Sequence, residues 1–170
     1  MVYLNNKGNK YNIRIIVIIF VKVVIYKNQF MANNTVTTIW KENMLFESDN
    51  PSGEVLFMDA PEEGIENNGL RPKAMMLSSL AGCSGLDVVS LLKKMRAEVS
   101  DFKIIVHGEL TEEHPKFYDR VRVEYHFYGT ELQEDKINKA VDLSVEKYCG
   151  VMEMFRQFAK ITTKVYLHKQ

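Results

Sequence analysis

The stretch that most limits how this chain can fold is residues 73–96, "KAMMLSSLAGCSGLDVVSLLKKMR". Met76, Leu77, Leu80, Ser84, Val88, Leu91, Leu92 and Met95 recur at the 3.6-residue period of an α-helix. As far as Leu86, apolar or small residues fill much of the other side too, and Lys93, Lys94 and Arg96 mark the exposed end. A helix that is apolar nearly all round has to be covered nearly all round. At ~1.5 Å per residue it runs about 36 Å, through the middle of a domain rather than along its surface.

The rest of residues 31–170 supplies the cover. "TVTTIWK" (35–41), "MLFES" (44–48) and "EVLFMDA" (54–60) are short β-prone runs. Glu42-Asn43 and Asn50-Pro51-Ser52-Gly53 place turns between them, which predicts a three-stranded meander. Residues 61–72 are a polar, glycine-punctuated loop. Beyond the long helix, 102–110 and 120–129 alternate apolar with polar residues, the mark of strands with one buried face. Thr130 and Gln133 have the spacing of a capping box. The helix after it puts Ile137, Val141, Ser144 or Val145, and Tyr148 on one face, with Gly150 as its expected C-cap. A short helix over 151–160 and an alternating strand over 161–168 complete the order βββ–α–ββ–α–α–β, a mixed α+β domain. A meander on one side of a long apolar helix and a second sheet after it leave more surface than one chain covers. An intertwined homodimer is therefore expected.

Charge and spacing exclude several functions. The whole chain is neutral, but residues 31–170 carry 17 bases against 22 acids. A mildly acidic domain lacks the electrostatic footprint of a nucleic-acid binder. His107, His114, His126 and His168 are scattered, and Cys83 and Cys149 lie 66 residues apart, so no metal site is expected and the histidines read as ordinary surface or strand residues. Residues 1–30 differ from the rest. They hold five bases and no acid, and 20 of these 30 are Ile, Asn, Lys, Tyr or Phe, as translation of an AT-rich upstream region gives. Their longest uncharged apolar run, Ile15 to Val21, falls far short of the ~20 residues a bilayer span needs. "KNQFMANN" has no signal-peptidase site. We read residues 1–30 as a non-native or poorly ordered extension with Met31 the natural start, a weak signal anchor being the alternative, residues 31–170 as the domain, and the protein as cytoplasmic without membrane attachment.

The two cysteines carry the chemical interest. Cys83 stands between Gly82 and Gly85, residues that let a ligand or another backbone approach a thiol, and Cys149 precedes Gly150. If the fold brings them together they form a redox couple, one thiolate becoming a sulfenic acid and the other condensing with it to a disulfide. If not, they are buried space-fillers, a common fate for free cysteine.

"RPKAMMLSSLAGCSGLDVVSLLKKMR", followed 66 residues after its cysteine by "KYCGV", resembles the OsmC/Ohr family in its YhfA-like branch, over nearly all of residues 35–167. The resemblance implies an interlocked homodimer with long central helices wrapped by sheets from both chains. It further implies a thiol-dependent peroxidase that reduces organic hydroperoxides in oxidative stress defence, with no cofactor but an external dithiol reductant. In that reading Cys83 is the peroxidatic and Cys149 the resolving cysteine, and the glycines keep the central helices close and the sulfur accessible. Family peroxidases pair a glutamate ten residues before the first cysteine with an arginine from the N-terminal strands; here Lys73 holds the first position and residues 31–70 contain no arginine. Arg71 and Lys73 are the candidate cations for the thiolate. Asp87, four residues after Cys83 and on its helical face, opposes them by raising a neighbouring thiol's pKa. Met75, Met76, Leu77, Leu80 and Leu86 are the candidate lining of an apolar substrate pocket. The rival expectation is a non-catalytic dimer of the same fold that binds a small apolar ligand or thiol at the subunit interface.

Overall fold

The computed structural model describes residues 33–60, 63–64 and 66–170; the expected extension over residues 1–30 lies outside them. The architecture is the α+β arrangement expected: two three-stranded sheets and three helices. β1 (Thr38–Glu42), β2 (Leu45–Asp49) and β3 (Val55–Met58) form the antiparallel meander, with Phe46 opposite Trp40 on one side and Met58 on the other. An isolated bridge from Met58 to Leu70 leads the chain into α1 (Pro72–Met95). Pro72 sits in the first turn, where its missing N–H costs nothing, and Arg96 ends the helix in the left-handed region at φ 51°.

The second sheet has the order β4–β5–β6: β4 (Asp101–Leu110) antiparallel to β5 (Tyr118–Gly129), and β5 parallel to β6 (Lys160–Lys169). The parallel pair is joined by α2 (Glu134–Leu143), a π-helical turn (Ser144–Tyr148) and α3 (Gly150–Arg156). The core lies between this sheet and the helices. β5 contributes Val121, Val123, Tyr125 and Phe127, and α1 contributes Leu80, Val88 and Leu92. Ile137, Ala140 and Val141 come from α2, and Met152 and Phe155 from α3. Phe102 of β4 stacks on Phe127 with ring centroids 4.5 Å apart.

Three local expectations are corrected. The Thr130–Gln133 capping box does not form: Gln133 itself stands at the N-cap of α2, with no side-chain cap bond. Leu132 packs on the core beside Gly129, which keeps the preceding residues out of the helix. Gly150 is the first residue of α3 instead of a C-cap, and Cys149 between the two helices is extended, with φ −74° and ψ 100°. Tyr148 is half exposed instead of facing the core. In a regular helix it would lie one turn above Ser144. The π-turn bonds Cys149 N–H to the Ser144 carbonyl at 2.9 Å, so Cys149 takes the inward place and Tyr148 is turned outward.

α1 is covered on one side only. Leu80, Ser84, Val88 and Leu92 form its buried stripe, whereas Leu86 is 76% exposed, with Met76 and Val89 also in the open. Trp40, Ile39, Phe46, Val55 and Phe57 of the first sheet are likewise exposed. Gly85 is placed by packing within the chain: a Cβ there would meet Ile104 Cδ1 of β4 at 3.1 Å. At Gly82 a Cβ meets nothing within 4 Å.

Candidate functional site

The i, i+4 spacing of Cys83 and Asp87 puts both side chains on one face of α1, beside the buried stripe. The π-turn delivers Cys149 to the same place. The two sulfurs and a carboxylate oxygen of Asp87 lie within 4.8 Å of one another. Both thiols are free; Cys83 is half-buried and Cys149 buried. The proximity that no spacing rule reveals is therefore present inside one chain.

Cys149 is held from both sides of its peptide. Its N–H donates to Ser144 in the π-turn, and its Sγ accepts the Met152 N–H at 3.3 Å, acting as the N-cap of α3. Burial pushes this thiol up to about 11, the Met152 N–H partly opposes that, and the neighbouring Cys83 and Asp87 push the same way as burial. Cys149 is thus protonated at neutral pH.

Beneath the sulfurs runs a buried hydroxyl network absent from any sequence expectation. Ser84 Oγ bonds the Tyr125 hydroxyl at 2.7 Å and Ser144 Oγ at 2.9 Å. Ser144 Oγ also reaches the Ser84 carbonyl at 3.2 Å and Asp87 Oδ2 at 3.5 Å. Burial raises the Tyr125 hydroxyl to about 12, against the pull of Ser84 and with the proximity of Cys149 and Asp87 adding to the rise. In sequence Ser84 and Tyr125 occupy positions of an apolar pattern, so nothing distinguishes them from packing residues. The signal was the hydroxyl at a position facing the core, where burial demands a partner. Replacing Ser84 by alanine is expected to cost about 1–3 kcal/mol, because it strands the Tyr125 hydroxyl. Tyr125→Phe is expected to cost less, since Ser84 keeps Ser144. Urea unfolding followed by circular dichroism ranks the two, and the opposite order would remove Ser84 from the centre of the network.

The other candidates fall elsewhere. Arg71 and Lys73 stand at the first turn of α1, about 15 Å or more along the axis from Cys83 at 1.5 Å per residue, so they do not meet it within one chain. Lys73 instead lines an open apolar groove of about 420 Å³ with Met76, Lys116, Phe117, Tyr118 and Phe158. Leu80 is core and Leu86 is exposed, so the expected lining does not close into a pocket within this chain. Among the described residues Asp87 makes no ion pair; Arg156, seven residues beyond Cys149, is engaged by Glu146 at 2.9 Å and Glu153 at 3.4 Å. The register of β5 and β6 also brings His126 Nδ1 within 3.0 Å of His168 Nε2, with Glu124 near both His126 and His107. Burial alone would raise the Glu124 carboxyl, but Arg122 and then the two histidines hold it below the usual range.

Comparison with known proteins follows this geometry. The family profile described as OsmC-like protein matches residues 65–164. Protein YhfA of Escherichia coli K12 is 34% identical over 126 residues, covering 72% of this chain and 90% of that protein. A hypothetical protein from Aquifex aeolicus VF5 superposes with a TM-score of 0.73 at 31% identity, covering 82% of this chain and 99% of that one. The organic hydroperoxide resistance protein OsmC of Legionella pneumophila, described as a predicted redox protein, superposes at 0.60 with 15% identity over 80% of this chain and 98% of that one, a likeness of fold.

Proposed function

The chain belongs to the OsmC-like protein family, and from that premise we propose that it is a thiol-dependent peroxidase reducing organic hydroperoxides. The observation that carries the reading is the meeting of the Cys83 and Cys149 sulfurs in one site. The family's hydroperoxide-resistance and redox proteins support a stress-related role of this kind.

Cys83, the less buried thiol, attacks the peroxide as thiolate. The O–O bond breaks, the terminal hydroxyl passes to sulfur as Cys83 becomes a sulfenic acid, and the departing alkoxide leaves as the alcohol on taking from solvent the proton that the thiol had given up. Cys149 then attacks that sulfur; an S–S bond forms, the S–O bond breaks, and the thiol proton leaves with the hydroxyl as water. An external dithiol returns both cysteines to thiols by exchange. Because Cys149 is pushed up to about 11, its thiolate fraction, and with it the second step, rises about tenfold per pH unit across the neutral range.

Mass spectrometry of reduced protein given one equivalent of cumene hydroperoxide tests the reading. We expect loss of two hydrogens mapped to a Cys83–Cys149 bridge, appearing faster at pH 9 than at pH 7. Two unmodified thiols would instead favour a non-catalytic binding protein. That second reading has its own motive: Lys73 in place of the family's glutamate, and an Asp87 carboxylate beside the thiols that makes no ion pair among the described residues.

The same reading includes a homodimer, a cytoplasmic setting that keeps the thiols reduced, and a hydroperoxide whose organic group is apolar. The open side of α1 and the exposed first sheet support a second copy as partner. α1 is also long and apolar enough to cross a bilayer by length and composition. Its buried Ser84 and half-buried Asp87, bound into the hydroxyl network, favour a protein neighbour instead. Sedimentation at twice the chain mass is the expected result.

A further inference from the structure

The trio at the candidate site has the makings of a metal centre, against the expectation drawn from residue spacing. Two sulfurs and one carboxylate converge within 4.8 Å. With Zn–S bonds of about 2.3 Å and tetrahedral angles, bound sulfurs stand about 3.8 Å apart, so small side-chain rotations close the site. Sulfur ligands select a thiophilic ion such as Zn²⁺ over Mg²⁺ or Ca²⁺. Charge points the same way: among the described residues no cationic side chain pairs with Asp87. Two thiols and an unpaired carboxylate, backed by a buried hydroxyl network, form a cluster that a divalent cation neutralises.

We propose that reduced Cys83 and Cys149, with Asp87, bind a thiophilic divalent cation, Zn²⁺ fitting best, and that this ion holds the couple reduced and closed to hydroperoxide. Binding converts two thiols to two thiolate ligands and releases two protons to solvent; no electron moves. The fourth coordination position is open to water. A metal-bound Cys83 thiolate has its lone pair committed, so it no longer attacks an O–O bond, and removal of the ion restores it. The binding stands on the geometry alone; only the inhibitory consequence rests on the peroxidase reading.

Reduced, chelator-stripped full-length protein is titrated with Co²⁺, and Zn²⁺ is then added to the cobalt-loaded protein. The expected result is one ion per chain, a thiolate-to-cobalt charge-transfer band that Zn²⁺ abolishes by displacement, and protection of both thiols from iodoacetamide. Oxidised protein with the Cys83–Cys149 bridge is expected to give no band. Asp87→Asn, which keeps both sulfurs, should weaken binding by about tenfold or more, since losing a ligand costs no less than losing an outer partner. Cys83→Ser should abolish the charge-transfer band's two-sulfur intensity while circular dichroism stays unchanged. Equal affinity in Asp87→Asn, equal affinity in Cys83→Ser, or half an ion per chain held by four sulfurs would overturn the proposal. None of these readouts uses peroxide. A protein inert to cumene hydroperoxide that binds the ion leaves this inference standing, and an active peroxidase that binds none refutes it alone.

Discussion

Cys83→Ser is expected to reduce consumption of cumene hydroperoxide by several orders of magnitude, to the uncatalysed rate, as loss of a sole nucleophile does. Serine has nearly the same shape, and its hydroxyl fits beside Asp87 without a new cavity. The hydroxyl has no accessible thiolate-like state at neutral pH and cannot be oxidised to a sulfenic acid. The fold should therefore survive while the chemistry disappears. Cys149→Ser is the informative contrast. Its first turnover should proceed, leaving Cys83 as a sulfenic acid open to further oxidation, which a dimedone adduct reports by mass. Unchanged steady-state consumption in Cys83→Ser would end the peroxidase reading.

A large effect on stability is expected from Phe155→Ala. The ring is 2% exposed, lies in α3 facing the core, and is tilted against Phe158 at 5.0 Å between centroids. Truncating a buried phenylalanine costs about 3–5 kcal/mol, the transfer of the lost ring plus the cavity it leaves. At a urea dependence of about 1–3 kcal/mol per molar, the unfolding midpoint falls by one molar or more. The substitution also reaches the site. Phe155 anchors the helix whose first turn bonds Cys149 Sγ through the Met152 N–H. Loosening α3 should slow bridge formation without slowing the first oxidation of Cys83, so stopped-flow traces separate the two phases. A loss below about 1 kcal/mol would mean that the site collapses readily around the missing ring.

Where a single period dominates, the sequence was sufficient. β5 alternates Val121, Val123, Tyr125 and Phe127 inward against Arg122 and the half-covered Glu124 and His126, as its pattern requires. The α1 stripe of Leu80, Ser84, Val88 and Leu92 follows the helical period. The meander's turns fall where Asn43 and Gly53 allow positive φ. The site was legible only in part. Cys83 and Asp87 were tied together by helical spacing, but the arrival of Cys149 depends on how α1, α2 and α3 pack. Ser84 and Ser144 bond across 60 residues of chain, and each alone reads as a small residue on an apolar face. The cations singled out near the helix start, Arg71 and Lys73, belong to the same motif in sequence but stand about 15 Å or more along the axis from Cys83. His126 and His168 meet because β5 and β6 run parallel in register, a pairing between strands separated by two helices.

The π-turn bears on how such a site is inherited. Its Cys149 N–H reaches over five residues to Ser144, so the turn holds one residue more than an α-helical turn and still leaves Cys149 above Ser144. Deleting one of Val145, Glu146, Lys147 or Tyr148 would tighten it to an ordinary turn with the cysteine in nearly the same place. The count of residues between the two thiols is thus elastic by one. A descendant of this chain can lose a codon there and keep its sulfur pair, so kinship at this site is written in the face of the helix and not in the length of the spacer.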